Sequence, residues 1–384
     1  MSETSAGALL ALVRSGRAAT RTDLGHQTGL SRTAVSSRVS SLLDAGLLVE
    51  AGELASTGGR PAGALVFHAE AASVVGVAVG RSRSQIGVFD LEGAVQETES
   101  HDHEVGSGPD EVMPHLAERL TTMLEGRSRP VLGLGLSLPG TVDPERRVSL
   151  DSPVMRGWDG VPLPPFFADV TGAPVYLTND TAALARSELL GHAPARNALV
   201  VKASTGLGLG LVADGRLVGS DRGVIGELGH TRVAEAGDRL CRCGATGCLE
   251  TVAGGWALTQ ELQESGLPVR HVRDVVSLAL EGNPAARNAL RQSGRQVGEV
   301  LAVAVTLLNP ETVVVGGDMG RAFDLWSAGV RESVYGLSTA SSTRDLTFRP
   351  AAHGDLAGLV GCAATVIDHE LAPEAVDSRL RTRA

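Results

Sequence analysis

The chain has 384 residues, 43% of them hydrophobic and 20% charged, a composition typical of folded globular domains rather than of a disordered protein. A net charge of −10 argues against indiscriminate binding of nucleic acid over the whole surface but leaves room for a local basic patch. No apolar stretch approaches the roughly 18 residues of a transmembrane helix, and residues 1–10 lack a signal-peptide pattern, so a cytoplasmic protein without a membrane partner is expected. Every basic residue except Lys202 is arginine, a skew that we attribute to genomic base composition rather than to function.

Residues 1–68 have the pattern of three short helices followed by two strands. Thr20 and Asp23 have the spacing of a capping box before the second helix, and Ser31 can cap the third. In the third helix, Val35 and Val39 fall on one face. The other face carries hydroxyl and guanidinium donors: Ser31, Arg32, Thr33, Ser36, Ser37 and Arg38. Such donors suit phosphates and base edges.

The two strands, at 47–50 and 64–67, enclose a turn at 57–61 whose Arg60 can reach a DNA groove or the phosphate backbone. Helix, glycine-containing turn, helix and wing together predict a winged helix-turn-helix that binds a double-stranded DNA operator. The alternative for this region is a small three-helix domain used for protein contacts.

From residue 72 the sequence alternates β-like apolar runs with helical segments, as an α/β fold does. Strands are expected at 74–79, 85–90, 131–136, 175–177, 198–203, 209–212 and 312–315. Helices are expected at 109–124, 181–190 and 285–308. Residues 72–372 are therefore predicted to form an α/β domain, and residues 373–384 a C-terminal tail whose last residues, 379–384, are solvated.

Three of the four cysteines lie close together in a polar, glycine-rich segment that follows a histidine. His230, Cys241, Cys243 and Cys248 offer the four nitrogen and sulfur ligands of a closed tetrahedral site, so a structural Zn²⁺ is predicted as cofactor. The alternative is three cysteines that merely pack. Cys362 lies in apolar sequence and is expected in the core.

The spacing His-x10-Cys-x-Cys-x4-Cys-Leu-Glu resembles the signature of the ROK family, which is named after repressors, open reading frames and kinases. The resemblance runs from about residue 74 to about residue 370 and includes further motifs: Leu138-Pro139-Gly140, Asn179-Asp180, the stretch 204–210 and Gly316-Gly317. The preceding winged helix, with its Gly-Gly-Arg-Pro turn, resembles the sugar-operon repressors of that family. The resemblance implies a two-lobed actin-like, sugar-kinase-like (ribonuclease H-like) ATPase fold.

The resemblance also implies a sugar site formed by five residues: Asn179, Asp180, Glu227, His230 and Glu250. Convergent acceptors are what a ring of hydroxyls needs, because buried polar groups without partners are costly. In the family's kinases, the residue that matches Asp180 is the general base for the phosphorylated hydroxyl. His230 could bind zinc through one ring nitrogen and face the sugar with the other. The alternative for Asn179 and Asp180 is a helix cap.

The nucleotide-binding motifs are only partly retained. The family's first phosphate loop reads Asp-x-Gly-Gly-Thr, whereas residues 78–82 read Ala-Val-Gly-Arg-Ser, without the carboxylate and with Arg81 in place of a glycine. The later glycines are kept: Gly206, Gly208, Gly210, Gly316 and Gly317. Glycines also serve tight hairpins. An eroded kinase is predicted, with the sugar site kept and Asp180 as a vestigial base.

These observations predict a repressor of carbohydrate uptake or catabolism genes that acts as a homodimer or homotetramer and senses a sugar or sugar phosphate. Ligand binding is expected to close the lobes and shift the paired DNA-reading helices. Two alternatives stay open: an active ATP-dependent sugar kinase that carries a DNA-binding domain, and a regulator controlled by a protein partner without a small inducer.

Overall fold

The computed structural model describes residues 4–53, 63–150, 155–191, 195–219 and 226–383. They form an N-terminal unit, two α/β lobes and a C-terminal helix. Within these ranges, no helix is both long enough and apolar enough to cross a membrane.

The N-terminal unit consists of three helices and a two-stranded antiparallel sheet: α1 (Ala6–Arg14), α2 (Arg21–Thr28), α3 (Arg32–Asp44), β1 (Leu48–Glu53) and β2 (Gly63–Phe67). The capping box forms, since the Thr20 hydroxyl accepts from the Asp23 amide at 3.1 Å and the Asp23 carboxylate accepts from the Thr20 amide at 2.9 Å. Gly29 ends α2 at φ 70°, a conformation that glycine adopts without strain. The predicted elements are confirmed, while Arg60 and its turn lie outside the described residues.

The first lobe is built around a five-stranded sheet. Its elements are β3 (Ser73–Val79), β4 (Arg83–Phe89), β5 (Val95–Asp102), α4 (Pro109–Leu124), β6 (Val131–Leu138), β7 (Thr141–Asp143), β8 (Val148–Leu150), α5 (Ala168–Thr171), β9 (Val175–Asn179) and α6 (Asp180–Ser187). The strand order is β5–β4–β3–β6–β9, with β3 antiparallel to β4 and parallel to β6. Met113 and Leu120 of α4 are fully buried against one face of this sheet.

The second lobe repeats this plan. Its elements are β10 (Ala198–Ala203), β11 (Leu207–Ala213), β12 (Arg216–Leu217), α7 (Glu250–Ala253), α8 (Gly255–Glu264), α9 (Val272–Leu280), α10 (Pro284–Leu308), β13 (Thr312–Gly316), α11 (Phe323–Leu337), α12 (Ala340–Thr343) and β14 (Thr347–Pro350). The strand order is β12–β11–β10–β13–β14. As in the first sheet, the central strand has an antiparallel neighbour on one side and a parallel neighbour on the other: β10 is antiparallel to β11 and parallel to β13. The predicted strands and helices of both lobes are confirmed, with ends that shift by a few residues.

Helices α6 and α13 (Ala357–Glu370) pack against each other between the two sheets, α13 on the first sheet and α6 on the second. A Cβ added to Gly361 would lie 1.8 Å from the Ala183 carbonyl oxygen, so only glycine permits this close approach. Cys362 is fully buried and its thiol donates to the Val77 carbonyl at 3.3 Å, which confirms its predicted place in the core.

The C-terminal segment is a packed helix rather than the tail that was expected at 373–384. Helix α14 (Pro373–Arg383) packs against α1, where Val376 is fully buried and the Asp377 carboxylate accepts from the Gly7 amide at 2.8 Å. Val376 and Leu380 lie four residues apart on one helix face, and this face joins a hydrophobic core shared by the N-terminal unit, β3 and α13. The N-terminal unit is thus held to the first lobe by packing as well as by the chain.

Candidate functional site

An open cleft of about 460 Å³ lies between the two lobes, within the range of about 300–1,000 Å³ that small-molecule sites occupy. Its walls come from the β3–β4 turn, the carboxyl ends of β6 and β9, the start of α6, and loops of the second lobe. All five residues predicted to bind a sugar line this cleft: Asn179, Asp180, Glu227, His230 and Glu250. The fold therefore brings together residues that are up to 71 positions apart in the chain.

Asn179 ends β9 and caps α6. Its side-chain oxygen accepts from the amides of Thr181 and Ala182 at 2.7 and 3.2 Å, and its amide group donates to the Gly140 carbonyl at 2.6 Å. The helix cap that the sequence offered as an alternative is confirmed for this residue. Because its polar atoms are engaged within the protein, Asn179 fixes the turn of helix that presents Asp180 to the cleft.

Asp180 forms an ion pair with Lys202, a residue that the sequence prediction did not include in the site. Asp180 Oδ2 lies 2.8 Å from Lys202 Nζ, and the two side chains are 18% and 22% exposed. Burial lowers the pKa of Lys202, but the charge and hydrogen bond of Asp180, together with the charges of Asp318 and Glu250, raise that pKa above its ordinary 10.5. The available signal was that the only lysine of the chain lies just before residues 204–210, the glycine-rich turn.

Glu250 is 5% exposed. It follows the loop of residues 241–248, the cysteine loop, and connects this loop to the glycine-rich turn by a hydrogen bond. Its Oε2 accepts from the Leu207 amide and its Oε1 from the Trp256 indole, both at 3.0 Å. Trp256 also lines the cleft and was missing from the sequence prediction. The carboxylate is held in one orientation, as a recognition group must be.

Glu227 and His230 lie side by side, with Glu227 Oε2 at 3.5 Å from His230 Nε2. Burial raises the pKa of Glu227; His230 opposes this shift, and the carboxylates of Glu250 and Asp180 add to it. Three acidic groups thus converge on one part of the cleft, an arrangement suited to accepting hydrogen bonds from hydroxyls.

The four predicted metal ligands also converge, and their ligand atoms all lie within 4.8 Å of one another. His230 Nδ1 is 3.6 Å from Cys241 Sγ, and Cys243 Sγ is 3.8 Å from Cys248 Sγ. Tetrahedral bonds of about 2.3 Å to sulfur and about 2.05 Å to nitrogen give separations of about 3.6 Å for N···S and about 3.8 Å for S···S. The cluster can hold a metal ion through Nδ1 of His230, which leaves Nε2 on the side of Glu227.

The glycines predicted as a nucleotide-loop remnant do not all reach the cleft. Gly206, Gly208 and Gly317 line it, and Gly210 and Gly316 do not. A Cβ on Gly208 would lie 2.1 Å from Thr181 Oγ1, and one on Gly210 would lie 2.4 Å from the Ala185 Cβ. These two glycines are therefore required for packing against α6, whatever the cleft binds.

Five arginines that were not predicted as contacts also line the cleft, and two of them, Arg81 and Arg242, come from opposite lobes. Arg81 stands in the tight β3–β4 turn, which the Gly80 amide closes by donating to the Arg83 carbonyl at 2.9 Å. Arg242 stacks on Trp256, its guanidinium carbon 4.4 Å from the ring centroid. Burial lowers the pKa of Arg242 to about 10, and the charge of Arg81 adds to this shift.

On the N-terminal unit, the outer face of α3 is exposed as predicted. Five of the six predicted residues are exposed: Ser31, Arg32, Thr33, Ser36 and Ser37. Ser31 also caps the helix, since its hydroxyl accepts from the Ala34 amide at 3.3 Å. Arg38 is half-buried and donates to the Ala34 carbonyl at 3.1 Å.

Comparisons with known proteins agree with this architecture. The model of the ROK family matches residues 74–369. The xylose repressor of Bacillus spizizenii is 26% identical over 356 residues, 91% of each chain. The glucokinase of Thermotoga maritima is 30% identical over 312 residues, 76% of this chain and 96% of the kinase. The solved structure of a ROK family transcriptional regulator, a homologue of the E. coli MLC protein, is 26% identical, covers 99% of this chain and 98% of its own, and superposes with a TM-score of 0.80.

The family match covers well over half of the chain, and the two α/β lobes that it spans are continuous in the fold. The chain belongs to the ROK family.

Proposed function

We propose that this protein is a sugar-responsive, DNA-binding transcriptional repressor of carbohydrate uptake or catabolism genes. The observation that carries the proposal is the extent of the similarity. The MLC-like regulator matches 99% of the chain, whereas the T. maritima glucokinase matches 76%. A kinase domain alone does not account for the three helices and two strands that precede β3.

The N-terminal unit would act as a winged helix-turn-helix over residues 1–68, followed by a sensing domain over residues 72–372. Helix α3 would enter the major groove with its exposed face, and Arg60 would contact DNA from the wing. Arg32 stands at the start of α3 and is exposed, so it is placed to reach a base edge. Arg38, which is tied to its own helix, is better placed for a phosphate.

The cleft would bind the sugar through the carboxylates of Asp180, Glu227 and Glu250 and the free nitrogen of His230. Asn179 would contribute by holding the first turn of α6. Neutral hydroxyls are matched well by several acceptors of fixed orientation, and hydrogen bonds within the protein already fix Asn179 and Glu250.

The ion held by the histidine and three cysteines would be a structural Zn²⁺. Four nitrogen and sulfur ligands at tetrahedral separations leave no position for substrate, and the ligand set favours zinc over hard cations, which prefer oxygen. When bound, zinc would cross-link the loop that carries His230, Arg242 and Glu250, and thereby fix that wall of the cleft.

Phosphoryl transfer requires a carboxylate and close backbone approach at the first phosphate loop. Ala78 and Arg81 occupy that loop here, and the ammonium of Lys202 occupies one oxygen of the candidate base Asp180. We therefore propose that the protein does not phosphorylate sugars. The retained Asp180 and the 30% identity to a glucokinase favour the second candidate, a sugar kinase with a DNA-binding unit.

The active form would be a homodimer or homotetramer that reads paired half-sites. Exposed apolar side chains on two neighbouring helices of the second lobe support self-association: Val303 and Leu307 on α10, and Leu337 on α11, which are 61%, 76% and 63% exposed.

The helix pair α13–α14 would couple the two functions. Ala357 and Gly358 at the start of α13 line the cleft, and α14, which follows α13, packs on α1. A ligand that changes the angle between the lobes moves this helix pair, and with it the DNA-binding unit.

The test uses the full chain. Genomic fragments retained by the pure protein are sequenced, and binding to the recovered operator is then measured with a panel of free and phosphorylated sugars. We expect selective retention that at least one sugar reverses or strengthens. Retention without sequence preference refutes the DNA-binding function. Selective retention that no sugar changes favours control by a protein partner, and ATP-dependent phosphorylation at about 1–100 per second favours the kinase.

A further inference from the structure

Two guanidinium groups in the cleft, those of Arg81 and Arg242, have no acidic group within ion-pair distance among the described residues. The other arginines and the lysine on the described cleft wall are all paired with acids: Arg83 and Arg273 share Asp102, Arg321 pairs with Asp355, and Lys202 pairs with Asp180. Among the residues that the structure describes, Arg81 and Arg242 form neither a hydrogen bond nor an ion pair through their side chains, and Nε of Arg81 and Nη1 of Arg242 are buried atoms without a partner there. Buried donors without an acceptor are rare in native proteins, so both groups point to an anion that belongs there.

The two groups come from opposite walls. Arg81 projects from the β3–β4 turn of the first lobe, and Arg242 from the cysteine loop of the second. Trp256 holds Arg242 by stacking at 4.4 Å and at the same time donates to Glu250, one of the proposed sugar contacts. One indole thus links the unpartnered cation to the sugar site, which places the missing anion next to the sugar rather than at a separate site.

We propose that Arg81 and Arg242 bind the phosphoryl group of a phosphorylated sugar, so that the effector is a sugar phosphate rather than a free sugar. This inference rests on the proposed sensing function and narrows its ligand class. Two cations match the charge of a phosphate monoester, and guanidinium groups bind its oxygens bidentately. Because one cation stands on each lobe, the phosphoryl group bridges the cleft and favours its closed form.

The experiment uses the full-length protein and matched probe pairs: glucose and glucose 6-phosphate, N-acetylglucosamine and its 6-phosphate, and xylose and xylose 5-phosphate. Gluconate, ATP and inorganic phosphate serve as the other anions. Binding is measured by calorimetry and by thermal stabilisation, for wild type, Arg81→Gln and Arg242→Gln. The control variant is Arg83→Gln, which removes an arginine of the same turn that already has an acidic partner.

We expect at least one sugar phosphate to bind tenfold or more tightly than its free sugar. Arg81→Gln and Arg242→Gln should each remove most of that preference and the stabilisation by inorganic phosphate, and Arg83→Gln should keep both. Because Arg242 lies between two cysteines, zinc content is measured for each variant; Arg81, on the other lobe, tests the inference independently of the metal loop.

Equal affinity for free and phosphorylated sugars, an unchanged preference in both variants, or no response to any phosphate compound overturns the inference. Preference for gluconate would assign the arginines to a carboxylate, and preference for ATP would assign them to a nucleotide; both refute it. If a free sugar alters operator binding and its phosphorylated form binds no more tightly, only this inference is refuted. If the wild-type protein shows no selective DNA binding, only the proposed repressor function is refuted.

Discussion

Replacing Asp180 with asparagine keeps the size of the side chain and removes its charge, so it tests the sugar site directly. Hydrogen bonds to a charged group contribute roughly 1.5–3 kcal/mol, and affinity for the effector should fall about 10- to 100-fold. Operator affinity without ligand should barely change, because Asp180 lies in the cleft and not on the N-terminal unit.

The same substitution removes the partner of Lys202. The pair is about four-fifths buried, so its loss should lower the free energy of unfolding by about 1–3 kcal/mol, less than the ~3–5 kcal/mol for a fully buried pair. The Lys202 pKa is raised in the folded protein, and a raised pKa stabilises the fold at every pH below the unfolded value. The destabilisation should therefore be constant between about pH 7 and 9 and decrease only as pH rises through the folded pKa of Lys202.

A double-variant cycle separates ligand binding from folding. Lys202→Met keeps the stem and removes the ammonium, so Asp180→Asn with Lys202→Met should regain part of the lost unfolding free energy in chemical denaturation. Ligand affinity, measured as operator binding titrated with the effector, should stay low in the double variant. An unshifted midpoint in Asp180→Asn, or full recovery of ligand affinity in the double variant, would mean that Asp180 acts only in the ion pair.

Three further predictions concern other parts of the chain. Protein purified without added zinc should contain one Zn²⁺ per chain by metal analysis; Cys243→Ser should lose it, the buried Cys362→Ser should keep it, and zinc near zero in wild type contradicts the site. Arg32→Ala should weaken operator binding by about 1–3 kcal/mol in a gel-shift titration. Loss of an arginine that contacts only phosphate should weaken binding less, and equally for all DNA sequences. If the variant binds the operator as tightly as wild type does, α3 is not the helix that contacts DNA. Val376→Ala in α14 should lower the free energy of unfolding by about 2 kcal/mol, whereas exposed Glu374→Ala should have little effect; equal stability would mean that α14 does not pack as described.

Much of the fold was predictable because its signals are local. The central strands are uninterrupted apolar runs, and the ends of α2 and α3 are marked by Thr20, Gly29 and Ser31, whose roles depend only on nearby backbone. The convergence of the four candidate metal ligands was predictable for a related reason, since Cys241 to Cys248 span one short loop and only His230 is added from outside.

What failed depends on packing between distant segments. Helix α14 has too few apolar residues to predict its burial, and Val376 becomes buried only because α1 lies opposite. No spacing in the sequence encodes the side-chain orientations that bring Arg242 and Trp256 into the cleft, and Lys202 was marked only by being the single lysine of the chain. Asn179 both caps α6 and lines the cleft, and capping α6 is how the chain places Asp180 in the cleft.

A repressor needs more than a ligand that binds; it needs one that binds one conformation better. Moving a two-state equilibrium from 1:99 to 99:1 takes a preference of about 10⁴-fold, or about 5.5 kcal/mol. Contacts from a single lobe cannot supply this, because they form equally well in the open and the closed cleft. Only contacts that the ligand completes across the cleft contribute to its preference for the closed form, and each such contact with a charged group contributes roughly 1.5–3 kcal/mol. Asp180 and Arg81 stand on the first lobe, and Glu227, Glu250 and Arg242 on the second. Two such contacts of about 3 kcal/mol each, or four of about 1.5 kcal/mol each, reach the required preference. A neutral sugar would engage only the carboxylates, whereas a phosphorylated one would add the arginines, so the unpartnered cations are where the energy for switching is expected to come from.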